Sequence, residues 1–161
     1  MTEERDSAVL IPVDRRDSGD RILFTKRSEE LPDHAGHVSF PGGKREPEDA
    51  DLLETALRET REEVGIEEDC IDIGRELEPH YTKTSGYRIQ PYAGELDGEY
   101  EIETGAEVDE MFYRDVEDLE QQYDPETAEF AFDDYRIWGA TARILSTFLE
   151  EEYDSGGEGG C

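Results

Sequence analysis

The chain has 161 residues, 45 of them Asp or Glu against 16 Lys or Arg, for a formal net charge of −29. That length suits one domain with a real core and is short for two. So acidic a surface repels nucleic acid and anionic membranes, and neither is an expected partner.

Ala8–Val13 (AVLIPV) reads as the first strand, with Pro12 suggesting an edge or a bulge. A charged turn, Asp14–Asp20, leads to a second strand over Arg21–Lys26 (RILFTK). A long loop follows, Glu29–Ser39, of a length that is often functional in compact domains. Its His34 and His37 have the spacing His-x2-His, but no cysteine or third histidine lies nearby. A structural zinc site is therefore not expected, and the pair reads as substrate contact or loop packing. Gly42-Gly43-Lys44 lacks the GxxxxGK[ST] frame of a P-loop, so these glycines read as allowing close approach of backbone to a ligand.

A helix is predicted over Glu48–Val64, then strands over Ile71–Glu78 and Tyr81–Leu96, the second interrupted by Pro91. Glu107–Tyr113 alternates acidic and apolar residues, as a half-buried strand should. Asp115–Gln121 reads as a short helix, Glu129–Tyr135 as a strand and Ile137–Glu150 as a helix, with Trp138 expected in the core. Residues 1–7 are expected to be a flexible N-terminus, 8–150 the domain, and 151–161 (EEYDSGGEGGC) a disordered acidic, glycine-rich tail. Strands interleaved with two substantial helices predict an α/β (α+β) sandwich, with a mixed sheet between helices.

The helix over Glu48–Val64 carries the most informative pattern. Residues four apart nearly overlie one another on a helix, so Glu59 and Glu63 share a face, with Glu62 on its edge. Leu53, Ala56, Leu57, Thr60 and Val64 form an adjacent, mostly apolar stripe that can anchor the helix. Like charges three and four apart weaken a helix. A hard cation among the carboxylates removes that conflict, and oxygen ligands suit Mg2+ or Mn2+. In so acidic a chain the same cluster also fits a plain solvated face. The flanking pattern favours a site: Gly42-Gly43 comes before the helix, and Gly65 stands where helices end in a left-handed residue.

Arg58-Glu59-Thr60-Arg61-Glu62-Glu63-Val64-Gly65-Ile66 resembles the Nudix box, Gly-x5-Glu-x7-Arg-Glu-U-x-Glu-Glu-x-Gly-U, where U is bulky and apolar. Thr60 occupies one U position, and the upstream spacing is shifted by one. Gly43 stands in for the box glycine, and either Asp49 or Asp51 for its first acid. Leu23-Phe24-Thr25-Lys26-Arg27-Ser28, Gly36 and Phe40-Pro41-Gly42-Gly43 further resemble the signature of the coenzyme A diphosphatase branch, with Pro32 where that signature usually has a basic residue. The resemblance covers about Ala8 to Glu150 and implies the Nudix α/β/α sandwich.

The resemblance also implies metal-dependent hydrolysis of a nucleoside diphosphate derivative, foremost coenzyme A or acyl-CoA. The products would be 3′,5′-ADP and 4′-phosphopantetheine or its acyl form. The alternatives are hydrolysis of ADP-ribose, dinucleotides or nucleoside triphosphates, and a non-catalytic nucleotide-binding regulatory module. Glu59, Glu63 and then Glu62 are the implied metal ligands, joined by the Gly43 carbonyl, with Mg2+ or Mn2+ as the cofactor. Arg58 is expected to hold the glutamates in place, and Arg27, Lys44 and Arg45 to meet substrate phosphates. The catalytic base is either a box glutamate or a carboxylate from a distant loop, for which Glu107 is the candidate. A homodimer is compatible with the sequence and not required by it.

Lysine occurs only at Lys26, Lys44 and Lys83, so thirteen of the sixteen basic residues are arginine. Acid excess with scarce lysine points to a halophilic protein, in which salt screens self-repulsion. Cys70 and Cys161 imply no disulfide framework and a reducing compartment. MTEERDSAVLIPV has no long apolar core suited to a signal peptide, and no run approaches membrane-spanning length, so the expected location is cytoplasmic. Circular dichroism across a salt series is expected to show the fold lost as salt is withdrawn; full stability at low ionic strength overturns the halophilic reading.

Overall fold

The computed structural model describes residues 6–28, 37–82, 86–97, 100–106, 108–132 and 135–154. Its centre is β1 (Asp6–Asp14), where alternate side chains serve opposite faces of the sheet. Ala8 and Leu10 belong to one buried cluster, and Ile11 and Val13 to the other. β1 runs parallel to β7 (Arg88–Leu96) from Asp6↔Arg88 to Val13↔Glu95. It meets β2 (Arg21–Arg27) antiparallel only at Val13↔Ile22 and Asp14↔Arg21. Beyond those pairs the two strands take different partners. β3 (Val38–Ser39) pairs β2, and β4 (Gly42–Lys44) pairs β1. The Phe40-Pro41 link between them therefore sits at the fork, where the Phe40 ring stacks 5.3 Å from Phe24.

β5 (Ile71–Glu76) and β6 (His80–Tyr81) line the far edge of β7, and β8 (Val108–Asp115) lines β2. A small antiparallel sheet, β9 (Tyr123–Asp124), β10 (Glu129–Ala131) and β11 (Arg136–Ile137), stands apart. α1 (Leu52–Val64) buries Ala56 and Val64 with Ala8, Leu10 and Leu23. On the other face, α2 (Val116–Gln121) and α3 (Gly139–Leu149) bury Val116, Leu119, Ile144, Leu145 and Phe148 against Ile11, Val13, Ile22 and Phe24. A mixed sheet between helices is the architecture that the pattern of strands and helices predicts.

Several expectations are corrected. The first strand starts at Asp6, two residues inside the segment expected to be flexible. α1 starts at Leu52 rather than Glu48, because Asp51 caps it and a turn over 46–49, closed by the Asp49 N–H on the Glu46 carbonyl at 2.9 Å, comes before it. Pro91 does not break β7. Its missing N–H falls where the edge partner changes from β5 to β6, while Leu77 N–H still donates to the Pro91 carbonyl at 3.0 Å and Gln90 Nε2 donates to the Leu77 carbonyl at 2.6 Å. The strand expected over Glu129–Tyr135 is only β10, Glu129–Ala131, and a second short strand, β11, follows at Arg136–Ile137, at the predicted start of the last helix.

The tail also starts later than predicted. α3 continues into a wide helical turn, Glu150–Asp154, in which Glu151 pairs with Arg75 and Glu152 with Arg15 and Arg75. Tyr153 donates its hydroxyl to Asp20 at 2.9 Å. Paired in this way, the acidic residues 151 and 152 hold the turn on the domain. Residues 155–161 lie outside the described residues, as do Pro32, His34, Gly36, Lys83 and Glu107. Trp138 is no core residue: it precedes α3 at the cap position with 43% of its surface exposed.

Candidate active site

The acids ahead of α1 divide the work between them. Asp51 caps the helix by accepting the Glu54 N–H at 2.9 Å, and the Glu54 carboxylate reaches back to the Ala50 N–H at 2.5 Å. Asp49 is 3% exposed and accepts four hydrogen bonds. They come from the Glu46 N–H at 2.9 Å, the Thr55 hydroxyl at 2.8 Å, and Arg58 Nε and Nη2 at 3.0 Å each. This forked pair fixes the guanidinium. The hydrogen bond from Arg58 is the chief reason that the Asp49 carboxyl is held well below the usual carboxylate range.

The rest of the Arg58 head faces the glutamates. Nη1 lies 3.3 Å from Glu59 Oε2 and 3.3 Å from each Glu62 oxygen, and Nη2 donates to the Lys44 carbonyl at 3.1 Å. Glu59 is close against Gly43: a Cβ on that glycine would stand 2.5 Å from Glu59 Oε2. Burial raises the Glu59 carboxyl above its ordinary range, with the Glu62 charge adding, while a hydrogen bond with Glu63 and the Arg58 charge oppose the rise. Thr60, in an apolar position of the box, is fully buried and satisfies its hydroxyl on the Ala56 carbonyl at 2.8 Å.

The far end of α1 is closed by a loop from elsewhere in the chain. Gly65 takes the left-handed conformation (φ +78°) and donates to the Arg61 carbonyl at 3.0 Å. Glu103 and Gly105 then donate backbone N–H groups to the Val64 and Glu63 carbonyls at 2.8 and 2.9 Å. Gly105 approaches so closely that a Cβ there would lie 2.4 Å from the Glu62 carbonyl oxygen. The loop is pinned at its start by Tyr100, whose hydroxyl is 2.7 Å from that of Tyr113, itself under Arg21 at 3.6 Å.

Helix and loop enclose a cleft of about 320 Å³ lined by Glu46, Glu59, Glu62, Glu63, Gly105, Ala106 and Val108. Of the residues expected at the site, the structure gathers Glu59, Glu62 and Glu63 in this cleft, with Gly43 and Arg58 against them. Arg27, Lys44 and Arg45 do not line it. Arg45 is turned onto the Asp49 and Ala50 carbonyls at 3.2 and 3.4 Å, and Lys44 Nζ lies 5.4 Å from the Tyr87 ring centre. Position 107 is outside the described residues, although its neighbours Ala106 and Val108 line the cleft. Sequence reasoning missed Glu46 and the 100–106 loop. The one signal was Gly105, a lone glycine in the acidic run Glu101–Glu107.

Among the described residues, no three His, Cys, Asp or Glu side chains close into a metal cage. The donor set nevertheless fits a hard divalent ion. It is all oxygen, two of its carboxylates share a helix face, and Gly43 leaves room beside Glu59 that a side chain would fill. Mg2+ commonly keeps several waters and takes only one or two carboxylates, so an open set of this kind suits it.

The Asp49 pair sets an acid limb of stability. Unfolded, Asp49 takes up a proton near pH 4; folded, its carboxyl stays ionised to lower pH. Its stabilisation is therefore complete above that value and is lost as pH falls toward the folded-state pKa. Denaturation measured against pH at constant high salt is expected to show a flattened acid limb in Asp49→Asn. At neutral pH the variant is expected to lose about 2 kcal/mol, as for hydrogen bonds to a charged group. An unchanged acid limb contradicts the assignment.

Residues 4–134 match the NUDIX domain. "Nudix hydrolase 15, mitochondrial" of Arabidopsis thaliana is 37% identical over 169 residues, a match spanning 92% of this chain and 59% of that protein's length. "Uncharacterized Nudix hydrolase NudL" of Yersinia pestis (strain Pestoides F) is 32% identical over 160 residues, spanning 91% of this chain and 79% of the relative. The fold is also similar to the NUDIX domain of Shewanella oneidensis NrtR complexed with ADP ribose, with a TM-score of 0.67 and 14% identity, covering 94% of this chain and 90% of that one. The cleft on α1 carries the residues that resemble the Nudix box, and the chain belongs to the Nudix hydrolase family.

Proposed function

We propose that the protein hydrolyses the diphosphate bond of a nucleoside diphosphate derivative with Mg2+ or Mn2+, and that coenzyme A or acyl-CoA is its substrate. The observation that carries the hydrolase reading is the convergence of Glu59, Glu62 and Glu63 on one cleft, with Arg58 fixed against them by Asp49. The coenzyme A reading rests on Leu23–Ser28 and Phe40–Gly43, whose resemblance to the coenzyme A diphosphatase signature is unchanged by the fold.

Glu59 and Glu63, on one helix face, would hold the cation, with Glu62 and the Gly43 carbonyl beside them. When bound, the ion neutralises charge on the phosphate oxygens and acidifies a coordinated water. The chain's own contribution is positional. Arg58 restrains Glu59 and Glu62 at 3.3 Å, and the 100–106 loop holds the backbone of Glu62, Glu63 and Val64 still. A carboxylate, either a box glutamate or Glu107, takes the proton of the attacking water. The water oxygen forms a new bond to one phosphorus, and the bridging oxygen departs with the other phosphate.

Among the described residues, no helix is long and apolar enough to cross a membrane. We assign the enzyme to a salt-rich, reducing cytoplasm on its composition and its two separated thiols. Coenzyme A, ADP-ribose and nucleoside triphosphates, assayed with Mg2+ at high and low salt, are expected to rank coenzyme A first in kcat/KM. A higher value for ADP-ribose overturns the substrate, and turnover of none overturns the enzyme. Glu63→Gln is expected to lower kcat about 100-fold or more, on the scale of losing one electrostatic stabiliser, with the circular dichroism spectrum unchanged. Wild-type turnover in that variant removes the mechanism.

A further inference from the structure

Trp138 is the chain's single tryptophan, and its 43% exposure is unusual in this molecule. Among the described residues, Tyr81 is the only other large apolar side chain left so exposed. The indole is held in place: its ring lies 4.8 Å from that of His37, tilted by 34°. Gly139 follows in the left-handed conformation (φ +68°), with open space where a side chain would stand. That turn starts α3 while leaving the indole outside the core, which explains why helical spacing misplaced it.

The pair is joined to the cleft by short stretches of backbone. The His37 carbonyl accepts the Arg27 N–H at 2.9 Å, so position 27 lies opposite His37 on the neighbouring strand. From His37 the chain runs through β3 and Phe40-Pro41 to Gly43, which touches Glu59. Six residues, even fully extended, cover at most about 20 Å, a scale that a nucleotide joined to a second group can bridge. On a surface with net charge −29, a phosphate-bearing ligand gains little from the general field. An exposed π-face is the kind of local contact that holds a nucleobase without relying on that field.

We propose that Trp138, backed by His37, is a stacking platform for the purine base of the nucleotide half of the substrate. The proposal depends on the hydrolase reading for there being a nucleotide, and not on the choice of coenzyme A. Because no other tryptophan is present, fluorescence excited at the long-wavelength edge of indole absorption, where the eight tyrosines do not absorb, reports on this ring alone. Titration without metal is expected to give saturable quenching by 3′,5′-ADP and by 5′-AMP, and none by ribose 5-phosphate. In turnover, Trp138→Ala is expected to raise KM about tenfold, the scale of one lost base stack, with kcat moved less than twofold, and Trp138→Phe to restore most of the loss. An unchanged KM in Trp138→Ala overturns the platform, as does unaltered fluorescence at nucleotide concentrations that inhibit turnover. If no substrate is hydrolysed at all, the fluorescence titration still decides whether a base binds here, so the two failures are told apart.

Discussion

The site depends on a single forked ion pair. Five carboxylates, those of Glu46, Asp49, Glu59, Glu62 and Glu63, lie within one helix and the loop before it. Arg58 stands among them, with Asp49 at 3.0 Å through two nitrogens, Glu59 and Glu62 at 3.3 Å, and Glu46 at 3.8 Å. Asp49 is buried and takes up two of the guanidinium's five N–H groups, so the orientation of the remainder is set before any glutamate is considered. A lysine would offer charge without that fixed fork. The pair therefore both tethers the loop to the helix and determines where the Arg58 charge points.

The same device recurs over the acidic surface. Arg15 meets Asp20, Glu95 and Glu152; Arg75 meets Glu151 and Glu152; Arg136 forks onto Glu129 at 2.9 and 3.0 Å. Exposed pairs of this kind contribute little energy singly, and less in salt. Their effect is geometric: Arg15 and Arg75 draw the last helical turn onto the edge of the sheet, where Tyr153 reaches Asp20. With 45 acids to 16 bases, a cation that can serve two or three carboxylates at once is the more useful one, which gives a physical reason for arginine outnumbering lysine.

The sequence made some features legible because they are local. The apolar run of β1, the apolar stripe of α1, and the i, i+4 relation of Glu59 and Glu63 are set by local sequence and backbone period, and the fold has them where these put them. Features that depend on tertiary contact were hidden. Asp49 and Asp51 are two residues apart and chemically identical, and only the position of Arg58 and the helix start distinguish anchor from cap. Trp138 shares the spacing of its helix's core but precedes the helix, where a left-handed glycine turns the chain. Residues 151–154 look like solvated tail until Arg15 and Arg75, over 70 residues away, are brought alongside. Pro91 looks like a break until the change of edge partner opposite it is known.

Two glycines show how the fold makes a cleft from a helix that is otherwise only acidic. Gly43 comes from the sheet side and meets the Glu59 carboxylate so closely that a Cβ there would displace it; Gly105 comes from the loop and meets the Glu62 backbone carbonyl at a distance no Cβ permits. Backbone thus presses on α1 from both flanks, and the glutamates between are left facing a space of bounded width. Neither contact adds a charge or a hydrogen-bonding side chain. What they supply is close approach: a side chain at 105 would force the loop off the helix backbone, and one at 43 would displace the Glu59 carboxylate from its place. In water the glutamates' mutual repulsion is screened and their hold on an ion is weak. Confined beside a half-buried Glu59, the same charges interact in a less polar medium, where a divalent ion between them relieves far more repulsion. The arrangement of glycines, as much as that of glutamates, is what turns an acidic helix into a site.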